Sequence, residues 1–254
     1  TGQDPIQFNS SAPPTLYWLG SNGTLWSAGN NWSSNSTGTP PADFATGSDI
    51  IFSATGSTNS TDTDLGGDLS IGSLTINSTA GISGGNLTVS GATTINAGTL
   101  SIGNGSTTGA LIGDITNNAT LAFNHSNDST YSGNITGTGS LTKNGTGTTT
   151  LTGNNTYTGN TSIISGTLVV SGLLADSTNV SVATGATYQV DETDTIGSIA
   201  GNGTINLNQR SLTAGGSNST TTFSGVMLGE GSFTKAGTGT LTLSGNNTYN
   251  LGTT

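Results

Sequence analysis

Twenty-five residues of this chain occur twice: Gly133–Tyr157 and Gly225–Tyr249 align without a gap at an offset of 92, and 17 of the 25 positions are identical. The shared core reads Gly-Ser-(Leu/Phe)-Thr-Lys-x-Gly-Thr-Gly-Thr-x-Thr-Leu-x-Gly-Asn-Asn-Thr-Tyr, from Gly139 and again from Gly231. Ala97–Ile102 (Ala-Gly-Thr-Leu-Ser-Ile) and Ser165–Val170 (Ser-Gly-Thr-Leu-Val-Val) repeat a further unit. Repeats too small to bury an apolar face alone do so by stacking on copies of themselves. That requirement specifies a solenoid, with strands laid parallel on those of the next coil.

The local pattern agrees. Leu69-Ser70-Ile71, Leu74-Thr75-Ile76, Leu87-Thr88-Val89, Leu100-Ser101-Ile102, Leu121-Ala122-Phe123, Val180-Ser181-Val182 and Ile205-Asn206-Leu207 alternate apolar with small or polar residues, the period of a half-buried strand. Turn signals lie between them: Gly84-Gly85-Asn86, Asn104-Gly105, Asn144-Gly145, Asn202-Gly203 and Gly215-Gly216. No window carries apolar residues at helical spacing, and Gly, Ser, Thr and Asn, which fill 152 of 254 positions, are poor helix formers. Leu, Ile, Val and Phe number only 50, near the level at which chains are disordered. Disordered chains, however, are usually held open by charge, and here only 6% of residues are charged. At roughly 20 to 25 residues per coil, the region from Asp64 onward is expected to make about eight or nine coils.

The stretch Leu141-Thr142-Lys143-Asn144-Gly145-Thr146-Gly147, followed by Leu151-Thr152-Gly153-Asn154-Asn155-Thr156-Tyr157-Thr158-Gly159, resembles the autotransporter-associated β-strand repeat, as does its second copy. The resemblance implies an exported bacterial surface protein folded as a right-handed parallel β-helix. The second copy departs at its end, where Tyr249-Asn250-Leu251-Gly252 replaces Tyr157-Thr158-Gly159-Asn160, which predicts an unfinished or capped last coil.

Three segments follow from texture. Residues 64–254 are the solenoid. Residues 15–63 hold Trp18, Trp26, Trp32 and Phe52, expected to form the core of an aromatic N-terminal cap, because the first coil of a solenoid needs a lid. An aromatic cluster could instead stack on sugar rings. Residues 1–14 are extended by Pro5, Pro13 and Pro14 and alternate Ile6 with Phe8, so they read either as a loose leader or as a strand donated to or docked on a neighbour.

Chemistry is mostly excluded by what is missing. With no Cys and the single His125, there is no thiolate site and no site needing two imidazoles. Three basic residues against 13 acidic ones leave no patch for nucleic acid. No apolar run of 18 residues allows a membrane-inserted helix. The acidic clusters Asp62/Asp64/Asp68 and Asp191/Glu192/Asp194 read as solvated loops, with Ca²⁺ or glycoside cleavage as the sharper alternatives. His125, in Asn-His-Ser-Asn-Asp, reads as exposed, and Lys143 and Lys235 as edge charges that discourage wrong strand addition. The Thr-x-Thr patterns at 148–152 and 240–242 also permit an ice-binding face.

Nineteen of the 27 asparagines begin Asn-x-Ser/Thr, about twice the number expected by chance. They are turn and ladder residues or glycosylation acceptors; the candidates are Asn22, Asn59, Asn77, Asn104, Asn127, Asn144, Asn160, Asn202 and Asn218.

The expectation is a non-enzymatic structural protein with no cofactor. It opens Thr1-Gly2-Gln3, consistent with export after signal-peptide removal and an extracellular or cell-surface location. Subunits are expected to form a homopolymer head to tail, with Ile6 and Phe8 of one meeting Leu241, Leu243, Tyr249 and Leu251 of the next. The alternative is a monomeric adhesin or glycan-binding module acting on surface glycans or other cells.

Overall fold

The computed structural model describes residues 12–39, 41–53 and 57–254. Among them there is no helix, and the chain winds into a parallel β-solenoid of about ten turns. Each turn is a triangle with three walls. The second wall is the most regular: ten strands, from Thr63–Asp64 to Leu241–Leu243, hydrogen-bond in chain order. Their starts lie 17 to 23 residues apart, and this short period is why the turns outnumber the eight or nine expected.

Alternation sets the wall geometry. Ile102, Phe123, Lys143, Ile163 and Val182 occupy equivalent rungs of the second wall, in strict register. All five point inward and are buried. One apolar column per wall, continued turn after turn, gives the rod a core although large side chains are few. Polar residues between them face outward, and glycines and asparagines take the corners.

The two long sequence copies do not lie on the same walls. Ser140–Lys143 belongs to the second wall, whereas its counterpart Ser232–Lys235 belongs to a three-stranded sheet of the first wall. An offset of 92 residues is therefore a whole number of walls but not of turns. The repeat specifies a wall and its corners, and the three walls are interchangeable.

The first wall starts with Thr15–Trp18 and continues through Asp49–Phe52, Leu74–Ile76, Thr93–Ile95, Ile115–Asn117 and Ile135–Thr136. Thr15–Trp18 and Asp49–Phe52 pair in parallel and so already belong to the rod. The lid proper lies between them. Trp32–Ser33 runs antiparallel to Thr15–Trp18, and Pro41–Ala42 to Trp32–Ser33. Trp18, Trp26, Trp32 and Phe52 are fully buried in one cluster, with Trp18 to Trp32 at 4.9 Å and Trp26 to Trp32 at 5.1 Å, both edge to face. Each indole N–H is satisfied: Trp18 by Thr58 O, Trp26 by Thr63 Oγ1 and Trp32 by Trp26 O. Buried rings with occupied N–H groups offer no face to a sugar, which removes the tryptophan platform as a glycan site.

Between Ile135–Thr136 and Asp194–Ile196 the first wall forms no regular strand: its backbone bonds thin to Thr156 N–H and Tyr157 N–H on Ile135 O and Asn155 N–H on Leu173 O, and side chains supplement them. Asn155 Oδ1 accepts from Ile135 N–H, and Asp194 Oδ2 accepts from Leu174 N–H at 3.1 Å. Asp194 is thus buried, not solvated as its cluster suggested. Burial raises its pKa from 3.8 to about 6, against the lowering effect of the N–H groups of Leu174 and Thr195. A raised acid pKa means that the folded state holds the proton more tightly than the unfolded chain. Stability is then greatest at low pH and declines as the pH rises from about 4 through about 6. Asp194→Asn is expected to gain on the order of 1–2 kcal/mol relative to wild type across that interval, after allowance for solvent screening, as read from urea midpoints at each pH.

Lys143 also departs from expectation. It is fully buried, between Phe123 and Ile163, and is not an edge charge, because its strand lies inside the ten-stranded sheet. Its ammonium donates to the carbonyls of Gly145 and Ser165, and burial lowers its pKa to about 8.

Candidate functional site at the last described turn

The two ends of the rod differ. The N-terminal end is closed by the aromatic lid. At the other end, Leu241–Leu243 ends the ten-stranded sheet, Val226–Leu228 the six-stranded sheet and Ser232–Lys235 the three-stranded sheet.

The repeat gives an internal comparison for the last described turn. In the first copy, with turns on both sides, Lys143, Thr149, Leu151, Asn155 and Tyr157 are all buried. Their counterparts Lys235, Leu241, Leu243, Asn247 and Tyr249 are only half-buried. Leu251 is 67% exposed, the highest value among the exposed large apolar residues. Local chemistry is otherwise conserved between copies. Asn155 Oδ1 accepts from Ile135 N–H, and Asn247 Oδ1 from Met227 N–H at 2.8 Å. Tyr157 hydrogen-bonds Thr161, and Tyr249 hydrogen-bonds Thr253. Thr253 pairs with Phe233 in the register in which Thr161 pairs with Leu141, so residues 253–254 lie where the next turn starts.

Of the residues expected at a subunit contact, Leu241, Leu243, Tyr249 and Leu251 come together on this last turn. Ile6 and Phe8 lie outside the described residues.

All nine glycosylation candidates are exposed. Most are committed to hydrogen bonds. Asn22 and Asn59 donate Nδ2 to the carbonyls of Gly29 and Gly20, and Asn104 to Asp62. Asn77, Asn160, Asn202 and Asn218 accept at Oδ1 from residues of the following turn. Much of the asparagine excess is therefore ladder chemistry at corners.

The acidic groups do not converge. Among the described residues, no set of three His, Cys, Asp or Glu side chains could hold a metal ion. No described helix is long and apolar enough to cross a membrane. His125, expected in solvent, is 4% exposed; its Nε2 donates to Gly109 O. The loop is polar in sequence, but the chain folds it under residues 103–109, with Gly103 on one side and Gly145 on the other leaving room that a side chain there would fill. Sequence reasoning also missed Phe44, which packs on Trp26 at 5.7 Å and Trp32 at 5.8 Å; a lone aromatic with no periodic neighbour carries no signal.

A family model described as the passenger-associated-transport-repeat matches residues 72–102, 141–170 and 233–254. No curated protein and no solved structure matches the chain.

Proposed function

We propose, for a chain that carries the passenger-associated-transport-repeat in three places, that it is an exported surface protein whose β-solenoid serves as the subunit of a filament assembled head to tail. The repeat and the solenoid together support the exported, surface-displayed passenger type. The filament is a reading supported by one comparison within the described residues: Leu241 and Leu243 are half-buried, whereas their counterparts Thr149 and Leu151, 92 residues earlier, are fully buried. An edge of that kind is completed by added strand.

The opposite end cannot supply a naked turn, because the tryptophan lid covers it. The contact is instead made by residues 1–14 of the next subunit, with Ile6 and Phe8 docked beside Leu241, Leu243 and Tyr249. A contact between two different surfaces does not close on itself, so it propagates. The role is mechanical and non-catalytic. Its support is a low-charge, thiol-free rod whose backbone hydrogen bonds run between turns.

Cryo-electron microscopy over a dilution series tests this. Continuous filaments with a strand spacing of about 4.8 Å along the axis are expected at high concentration, and Leu241→Lys with Leu243→Lys is expected to leave discrete rods. Discrete rods of the unaltered chain at every concentration would overturn the filament.

A further inference from the structure

The third wall also has a seam. A three-stranded sheet ends at Ala110–Ile112 and a six-stranded sheet begins at Ser129–Tyr131 on the next turn, and the two are not hydrogen-bonded. A groove of about 360 Å³ crosses this seam, lined by Asn86, Thr107, Thr108, Asn127, Asp128 and Thr130 among others. Beneath it lies an apolar niche of about 20 Å³ walled by Ile102, Leu111, Phe123 and Tyr131. His125 lines both.

The histidine has an unmet requirement. Nε2 faces the carbonyl of Gly109 and so carries the proton. Nδ1 is then a bare acceptor, and it is buried with no partner. A buried unpaired acceptor is costly, and the group that satisfies it must donate. The groove around it is polar and lined mostly by uncharged side chains, with Asp128 its one charged group. The side chains of Asn86 and Asn127 make no hydrogen bond in the protein. An anion would meet Asp128 and a net charge of −10. A flat hydrophobe would leave the amides unused.

We propose that this seam binds a saccharide unit, one hydroxyl of which donates to His125 Nδ1 while Asn86 and Asn127 hold hydroxyls at the rim. The site is independent of filament assembly and of the tryptophan lid. Burial lowers the His125 pKa; the bond to Gly109 opposes this, and the Lys143 ammonium adds a smaller lowering effect. The other ionisable groups around the seam are Asp128 on the same loop, Tyr131 on the adjoining strand, Asp114 beside Tyr131, and Asp68, which accepts from Asn86 N–H at the rim. Protonation at Nδ1 removes the acceptor, and the lowered pKa places that step below the ordinary imidazole range.

Because the chain has one histidine, its ring resonances are unambiguous. The test is an NMR titration of the full chain with D-glucose, D-galactose, D-mannose and N-acetyl-D-glucosamine. At least one sugar is expected to shift the His125 Nδ1 and ring-proton signals saturably at neutral pH. Binding should weaken roughly tenfold once the ring is protonated. Asn86→Ala and Asn127→Ala, which alter only exposed side chains, are expected to weaken it severalfold, and His125→Phe to abolish it. Unshifted signals with all four sugars, as for a site that holds only water, would overturn the proposal, as would binding unaffected by the two rim variants.

Discussion

Trp26→Ala is expected to destabilise the protein by about 3–5 kcal/mol, the loss typical of emptying a large aromatic site in a packed core. Trp26 is fully buried and touches Trp18, Trp32, Phe44 and Phe52, so truncation opens a cavity at the centre of the lid. It also removes the donor to Thr63 Oγ1, whose own hydroxyl is bonded to Gly81 O in the second turn. The lid and the first turns should therefore loosen together. In urea unfolding followed by circular dichroism, the midpoint should fall, and amide exchange should accelerate first in residues 15–52. Unchanged stability would mean that the rings are not the lid of the rod, whatever else they do.

The walls and their contents were legible because each rests on a pattern that repeats. Leu100-Ser101-Ile102 or Val180-Ser181-Val182 can present one side to a core only as a strand, and a strand three residues long can survive only in a stack. The ungapped self-match at offset 92 then named the stack a solenoid. The tryptophans were legible for the opposite reason: three large rings in a chain of small residues have nowhere else to go.

Groups that act once were not legible. Lys143 and Lys235 sit in closely similar sequence contexts, yet one is buried and the other half-exposed, because burial depends on the turns stacked on either side. Asp194 looked like its solvated neighbours Asp191 and Glu192. Its burial comes from a missing rung in the first wall, which no local pattern announces. His125 sits in five polar residues and is covered only because the corner at 103–109 is long enough to fold across it. At the seam of the third wall and in the thinned stretch of the first, the features that matter are interruptions of the repeat. Periodicity predicts the regular turn well and is silent about where it is interrupted.

The Asn-Asn-Thr-Tyr unit shows how far the same residues can differ in energetic weight. Asn155 is fully buried and makes three side-chain hydrogen bonds, accepting from Ile135 N–H and donating to Gly153 O and Leu173 O. Leu is similar in size but can make none of them. Gly153 O and Leu173 O keep backbone donors, whereas Ile135 N–H is left buried and unpaired. Asn155→Leu should therefore cost about 2–4 kcal/mol, combining lost bonds with one orphaned donor. Asn247→Leu removes the matching bonds to Met227 N–H and Gly245 O, but at a half-exposed edge where water can replace them. Its expected cost in the dilute monomer is below about 1 kcal/mol. Paired urea unfolding of the two variants reads the difference. If residues 1–14 of a neighbour cover the last turn, the cost of Asn247→Leu should rise with protein concentration, while that of Asn155→Leu stays constant. Equal and concentration-independent costs would show that the last turn is as well covered in one chain as the turns within the rod.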